Sequence, residues 1–304
     1  MSWFKKKPPY TKHISIQPPS PHPDRSGVAI TSVVKNEGSY IGEWVRFHKA
    51  VGVRHFIIYD DGSTDETVEV LRNVLGKDEL TLLPWAGRMV DTSIENMLNN
   101  QVLAFAHAIL NFGGLYRWMA FIDVDEFLLP KSERTIEAAL AHVDGFPNVS
   151  LPWHMFGTSG HETRPDGSVA RNFILRAAEP IGKKKNITNF KCIVDPCEVN
   201  EVSVHLFGTR TFGSTTCNDA GQRSSRSGRK NPKFYSSQHL QLNHYYCKSE
   251  EELALKLSRG PASPASRQQY EERVRKAVEN IEADLIRDDS MLHFLDRNSI
   301  ALAN

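Results

Sequence analysis

Between Val28 and Pro130 the chain switches repeatedly between short continuous apolar runs and apolar positions at helical spacing. Val28 to Val34, VAITSVV, has the length and β-branched content of a buried strand, ended by Lys35-Asn36-Glu37-Gly38. From about Ser39 to Val51, Ile41, Trp44, Val45 and His48 recur with the period of a helix. His55 to Tyr59 predicts a second strand. Ser63 and Glu66 have the S-x-x-E spacing of a capping box, which predicts a helix running to Gly76. Glu79 to Pro84 reads as a third strand. Thr92 and Glu95 form a second such box, followed by Ile94, Leu98, Val102, Phe105 and Ile109 on one helical face. Trp118 to Ile122 is a fourth apolar run, and it stops abruptly at Asp123.

Alternating strands and helices predict βαβ units and an α/β fold with a mostly parallel sheet. Ligands of such sheets bind beyond the carboxyl ends of the strands. Three polar clusters fall there: Asn36-Glu37, Asp60-Asp61 and Asp123-Asp125. The chain contains no G-x-G-x-x-G and no Walker A sequence, which disfavours a dinucleotide dehydrogenase or a P-loop NTPase. After Pro130 the pattern changes. Thr135 to Val143 reads as a helix, and short strand-like runs then alternate with polar loops as far as Tyr246. Glu250 to Leu257 and Tyr270 to Leu285 read as C-terminal helices. The expected organisation is a disordered, proline-rich tail over 1–27 and one domain over 28–260. That domain divides into a regular half, 28–130, and a smaller irregular half, 131–260, with a helical extension over 261–304.

Composition narrows the picture only a little. The formal net charge of +1 offers no global attraction for nucleic acid, and no nucleic-acid partner is expected. Cys192, Cys197, Cys217 and Cys247 match no zinc spacing and read as free thiols of a reducing compartment. No apolar run approaches the roughly 18 residues of a spanning helix. The start, MSWFKKKPPY, is basic without an apolar stretch, so no secretory leader is expected. A cytoplasmic protein follows from these readings, with Trp3 and Phe4 beside Lys5, Lys6 and Lys7 open to weak peripheral contact with the inner face of a membrane. The basic loops Lys183 to Lys185 and Arg223 to Lys233 read either as solvated faces or as contacts to a phosphate or anionic acceptor.

The chemistry concentrates in WMAFIDVDEFLLP, Trp118 to Pro130, where Asp123, Asp125 and Glu126 follow a buried strand within four residues. Buried carboxylates are costly unless paired or bound to a cation. An all-oxygen site suits Mg²⁺ or Mn²⁺ and the phosphates such ions carry. From this stretch alone a solvated turn paired to Lys or Arg stays open beside the metal site.

Four stretches together are similar to the glycosyltransferase-2-like proteins related to glycosyltransferase family 92, over roughly Val28 to Gly260. They are VVKNEGSYIGEWVRFHKAVGVRHFIIYDDGSTDET, WMAFIDVDEFLLP, WHMFGTSGH and LNHYYCKSEEELALKLSRG. The resemblance implies a GT-A fold, a nucleotide-sugar donor, and Mn²⁺ or Mg²⁺ held between protein and donor diphosphate, with 28–130 the nucleotide-sugar-binding half and 131–260 the acceptor half. It implies a metal-dependent glycosyltransferase acting on a glycan, lipid-linked or small acceptor. Carried onto this chain, Asp61 would contact the donor base and Glu37 would line the same pocket. Asp123 would approach the ribose and the metal shell, Asp125 would ligate the metal, and His244 would be a late ligand or phosphate contact. For the base that accepts the acceptor's proton, His161 and Glu162 in FGTSGHET come first. The family keeps a polar loop there, and Gly157 and Gly160 allow close approach. Asp195 and His205 are further candidates. Trp153 and Phe156 have the surfaces to stack on a sugar or to pack in the core. A non-catalytic sugar-nucleotide or glycan-binding protein is the alternative from another class, and a metal-dependent phosphohydrolase a third.

Overall fold

Val28–Val34 (β1), Val53–Asp60 (β2), Leu80–Pro84 (β3) and Trp118–Phe121 (β4) pair in parallel, in the order β4-β1-β2-β3. The structure is a computed structural model and describes residues 10–178, 189–260 and 267–302. Because successive side chains of a strand point to opposite faces, each apolar run serves two cores. Val28, Ile30, Phe56, Ile58 and Ala120 pack with helices Gly38–Ala50 (α1) and Thr67–Val74 (α2). Ala29, Ile57, Tyr59, Met119 and Phe121 pack with helix Asn100–Phe112 (α3) on the other face.

The second half extends the same sheet. Its strands are Glu126–Pro130 (β5), Asn148–Met155 (β6), Phe190–Val194 (β7), Thr216–Cys217 (β8), Arg223–Ser224 (β9) and Leu240–His244 (β10). β7 runs antiparallel between β4 and β6. β10 lies parallel to the end of β6 and antiparallel to β5, with His244 opposite both Met155 and Glu126. The result is one ten-stranded sheet, mixed but mostly parallel and flanked by helices. The expected helix after Pro130 is Ile136–Leu140 (α4), capped by the Thr135 side chain. A single turn at Val169–Asn172 (α5) and the helices Glu250–Arg259 (α6), Arg267–Glu282 (α7) and Ser290–Arg297 (α8) complete the chain. Among the described residues no helix is long and apolar enough to cross a membrane, and all four cysteines are buried and free.

Several local expectations are corrected. The tail expected over 1–27 is seated on the fold from residue 10 onward: Ile14–Ser15 pairs with Glu201–Val202, and Tyr10–Thr11 with Met97–Leu98. Proline-rich chain resists helix, yet its extended backbone suits such bridges, and Ile14 and Ile16 pack against the α3-side core. Trp3, Phe4 and Lys5 to Lys7 lie outside the described residues, as do Lys183 to Lys185. Neither predicted capping box forms. The Ser63 hydroxyl accepts the Asn36 N–H instead (3.0 Å), and α2 starts at Thr67, whose N–H is taken by Asp65. α3 is capped by Asn99, which accepts from Gln101 and Val102, so Ile94 is left 57% exposed before the helix begins. Asn caps at least as well as Thr and stands next to the apolar stretch. The 261–304 extension is not peripheral either. Met291, Phe294 and Leu295 enter the α1-side core, and Leu285–Arg287 pairs with Leu175–Ala177.

Candidate functional site

The abrupt end of β4 builds the site. Asp123 and Asp125 occupy the short turn to β5, and Glu126 opens β5 with its side chain fully buried. The Glu126 carboxyl folds back, its Oε2 accepting the Asp123 N–H at 2.8 Å. From β7, Lys191 brings a buried ammonium 2.8 Å from Asp123 Oδ2 and 3.6 Å from Glu126 Oε2. Gln101, in the first turn of α3, donates to Asp123 Oδ1 at 2.9 Å. Burial opposes the charge of Lys191, but Asp123 and Glu126 outweigh it and hold its pKa up at about 12. Burial pushes the Glu126 carboxyl well above the usual range. Lys191 is therefore a fixed cation whose main partner is Asp123.

Asp125 faces a different set. His244 Nε2 stands 3.3 Å from its Oδ2 and Lys256 Nζ 3.7 Å away. Burial works against its ionisation, yet His244, Lys256 and Lys248 hold it well below the ordinary carboxylate range. His244 Nδ1 lies 4.0 Å from Glu126 Oε1, and neither atom has a hydrogen-bond partner among the described residues. Glu37, at the N-terminus of α1, completes the group. Its carboxyl is pushed up to about 7, chiefly by burial and further by Asp125, against the pull of Lys248, Arg259 and Lys256. Lys248 sits in a left-handed backbone conformation (φ 52°) with its Nζ 3.2 Å over the Tyr40 ring. Burial lowers its pKa to about 8 while Glu37 and Asp125 oppose the drop.

A raised carboxyl pKa carries a sign. Glu37 favours the folded state fully below its ordinary pKa of 4.5, and that contribution is lost as pH rises through about 7. Glu37→Gln is therefore expected to stabilise the ligand-free protein at pH 8 by roughly 1–3 kcal/mol and to change little near pH 4.5. Melting curves across that range check it; an equal effect at both ends would refute a buried, raised carboxyl.

The other expected residues divide. Asp61 is held by Arg88 through two contacts of 2.7 and 2.8 Å and touched by Asn100 at 3.4 Å. Since Asn100 and Gln101 are neighbours in α3, that helix brings Asp61 and Asp123 to one rim. His161 and Glu162 are not brought to the carboxylates by any described contact. The His161 ring faces the Asn172 carbonyl (3.3 Å) and the edge of Phe173, and Glu162 is exposed. Their backbone carbonyls instead accept the N–H groups of Glu250 and Glu251, anchoring the start of α6. Gly157 lies against the Glu282 carboxylate, whose Oε1 accepts the Thr158 N–H at 2.8 Å, rather than facing the strand-end acids. Asp195 is a structural clamp, 2.6 Å from Arg25 and 2.7 Å from Arg117. His205 is held neutral by burial, its pKa near 3, and shares the Trp153 ring with His244. Phe156 packs on Tyr245 in the core. Within the basic loop, Arg229 is no solvated charge: it is buried, donates to Ser150 Oγ and the His205 carbonyl, and lies over Phe190.

Asp125 and His244 are spaced as two ligands of one divalent cation would be, a separation that an ion pair also gives. Neighbouring ligands of an octahedral Mg²⁺-class ion, each about 2.1 Å from it, lie roughly 3 Å apart. Asp125 Oδ2 and His244 Nε2 stand at nearly that spacing, 3.3 Å. Both oxygens of Asp123 are already engaged, by Gln101 and Lys191.

The model of the family described as glycosyltransferase family 92 matches residues 28–287. The chain belongs to glycosyltransferase family 92. The family match thus runs past Gly260, through α7 and into the strand Leu285–Arg287, consistent with a C-terminal region integral to the fold. A glycosyltransferase family 92 protein of Oryza sativa subsp. japonica is 27% identical over 185 residues, covering 59% of this chain and 28% of that protein. A galactan beta-1,4-galactosyltransferase of Arabidopsis thaliana is 25% identical over 122 residues, 36% of this chain and 21% of the relative. The matched stretches thus span less than a third of these relatives. A crystal structure of S. aureus TarS (1–349) aligns with 83% of this chain and 71% of its own at 12% identity, with a TM-score of 0.35.

In this family 92 chain, Lys191, Lys248 and Lys256 went unassigned in the sequence. Lys248 and Lys256 do lie inside the late stretch that carries the resemblance, two turns apart around the α6 cap. Lys191 had only a weak signal, a lone charge in the apolar run FKCIV.

Proposed function

We propose that this chain transfers a sugar from a nucleoside-diphosphate sugar to a glycan, lipid-linked or small acceptor. One observation carries the reading. At the strand ends, Asp125 stands 3.3 Å from His244 and 3.7 Å from Lys256, and Glu37 and Lys248 lie near enough to feel its charge, a mixed set that suits a diphosphate and a divalent ion together. In this proposal Asp125 and His244 hold Mn²⁺ or Mg²⁺, which when bound neutralises charge developing on the leaving diphosphate. Lys248 and Lys256 offer further donors to the same oxygens. Glu37 and Asp61 line the nucleoside end, Asp61 after giving up Arg88. Lys191 and Gln101 hold Asp123 in place between the two. Trp153, with its indole N–H unpartnered among the described residues, offers a sugar-stacking face beside His244.

The galactosyltransferase relative makes nucleotide-linked galactose the first donor to try, within a panel of UDP-, GDP- and CMP-sugars. Nucleoside diphosphate should be released in the presence of Mn²⁺, faster when oligosaccharide acceptor is added. Saturable donor binding with no release across the panel would point instead to a binding protein without turnover. Release of inorganic phosphate without sugar transfer would point to a phosphohydrolase.

A further inference from the structure

We propose that Glu133, His142 and His239 form a second metal site, of the zinc class, separate from the strand-end carboxylates. The three residues come from three places: the loop after β5, the single helical turn that follows α4, and the residue before β10. The backbone joins them, since the Lys131 N–H donates to the His239 carbonyl at 3.0 Å. His142 Nε2 lies 2.8 Å from Glu133 Oε1, and the rings of His142 and His239 stack with centroids 3.5 Å apart and planes 10° from parallel. One ligand atom from each of the three residues lies within 4.8 Å of the other two.

The buried polar atoms around the pair favour a cation from outside. His239 Nδ1 is buried and has no hydrogen-bond partner among the described residues. A buried polar atom left in that state is costly, and a dication would satisfy it. His239 is also held in place: Asp219, 1% exposed, accepts its N–H at 2.7 Å and that of Leu240 at 3.1 Å. The other oxygen of Asp219 is buried without a partner among the described residues. Two imidazole nitrogens and a carboxylate select Zn²⁺ and its neighbours over Mg²⁺ or Ca²⁺, which prefer oxygen throughout. To converge on one ion, the two rings must splay from their stack by side-chain rotation. The ion would tie the loop after β5 and the end of α4 to the start of the strand that ends in His244. That strand is five residues long, so the two sites are separated by roughly 17 Å.

The test uses the full chain stripped of metal by chelator. The strand-end site is disabled by the double substitution Asp125→Asn, His244→Gln. Co²⁺ is titrated at micromolar protein and followed by its visible d–d absorption, then displaced with Zn²⁺. The expected result is one stoichiometric equivalent in the double variant, lost at least tenfold in affinity when either His239→Gln or Glu133→Gln is added. Zn²⁺ should raise the melting temperature of the double variant and not that of the added variants. Near-UV circular dichroism reports whether each variant is folded, and Glu133→Gln, on the more open side of the group, serves if His239→Gln is not. Loss of all tight Co²⁺ binding in the double variant would overturn the site. So would binding unchanged by the added substitutions, which would leave Glu133 and His142 as an ordinary surface ion pair.

Discussion

Asp125→Asn is expected to lower sugar transfer by about 10²–10³-fold, with metal-dependent donor binding lost. The substitution keeps the size of the side chain and an acceptor oxygen, but removes the charge that faces His244 and Lys256 at 3.3 and 3.7 Å. The fold should survive, with stability lowered by roughly 2 kcal/mol, the value of a charge-assisted hydrogen bond. Calorimetry of donor binding with and without Mn²⁺ measures the first part, and a melting curve the second. Full activity in a folded Asp125→Asn protein would remove Asp125 from any metal role. Activity lost with Mn²⁺-dependent donor affinity unchanged would move its role from the metal to the reacting sugar.

Lys191→Met is expected to destabilise the protein by about 3 kcal/mol, the low end of what removing one partner from a buried ion pair costs, because Asp123 keeps 38% of its side chain exposed. Methionine fills most of the space. What it leaves behind is Asp123 and Glu126 side by side in the protein, without the ammonium that stood 2.8 and 3.6 Å from them. Two consequences separate this explanation from simple loss of packing. Adding Glu126→Gln should recover part of the loss, because it removes the second acid. The loss should also shrink as pH falls, since Glu126, whose carboxyl burial pushes well above the usual range, is then protonated and needs no partner. A melting series of the single and double variants at pH 5 and pH 8 tests both. A Lys191→Met loss that is independent of pH and indifferent to Glu126→Gln would mean that Lys191 acts through packing alone.

Much of the first half was legible because its signals are local. A strand buried on both faces reads as an unbroken apolar run, and VAITSVV and WMAFI are such runs. The point where burial stops is written in the chain, so Asp123 and Asp125 announce a strand end without any knowledge of the partners. The same locality explains the errors. A capping box is defined by spacing, but Asn99 stood closer to the apolar stretch of α3 than Thr92, and Asn36 claimed the hydroxyl of Ser63 from across the sheet edge. The stretch FGTSGHET is polar, as a catalytic loop would be. Its carbonyls nonetheless go to the start of α6, and its Thr158 N–H to Glu282.

The sequence by itself determined the αβ alternation, the four parallel strands and the rim on which the acids lie, because apolar periodicity reports what residues two, three and four apart must share. Tertiary structure alone decided which acids are free to act. Lys191 lies 68 residues from Asp123, and only the antiparallel insertion of β7 beside β4 brings them within 2.8 Å. His244 meets Asp125 only because β10 slots between β5 and β6. Ion pairs of this kind have no period in sequence. Their worth depends on desolvation and on a few ångströms of separation, and both are set by strand order.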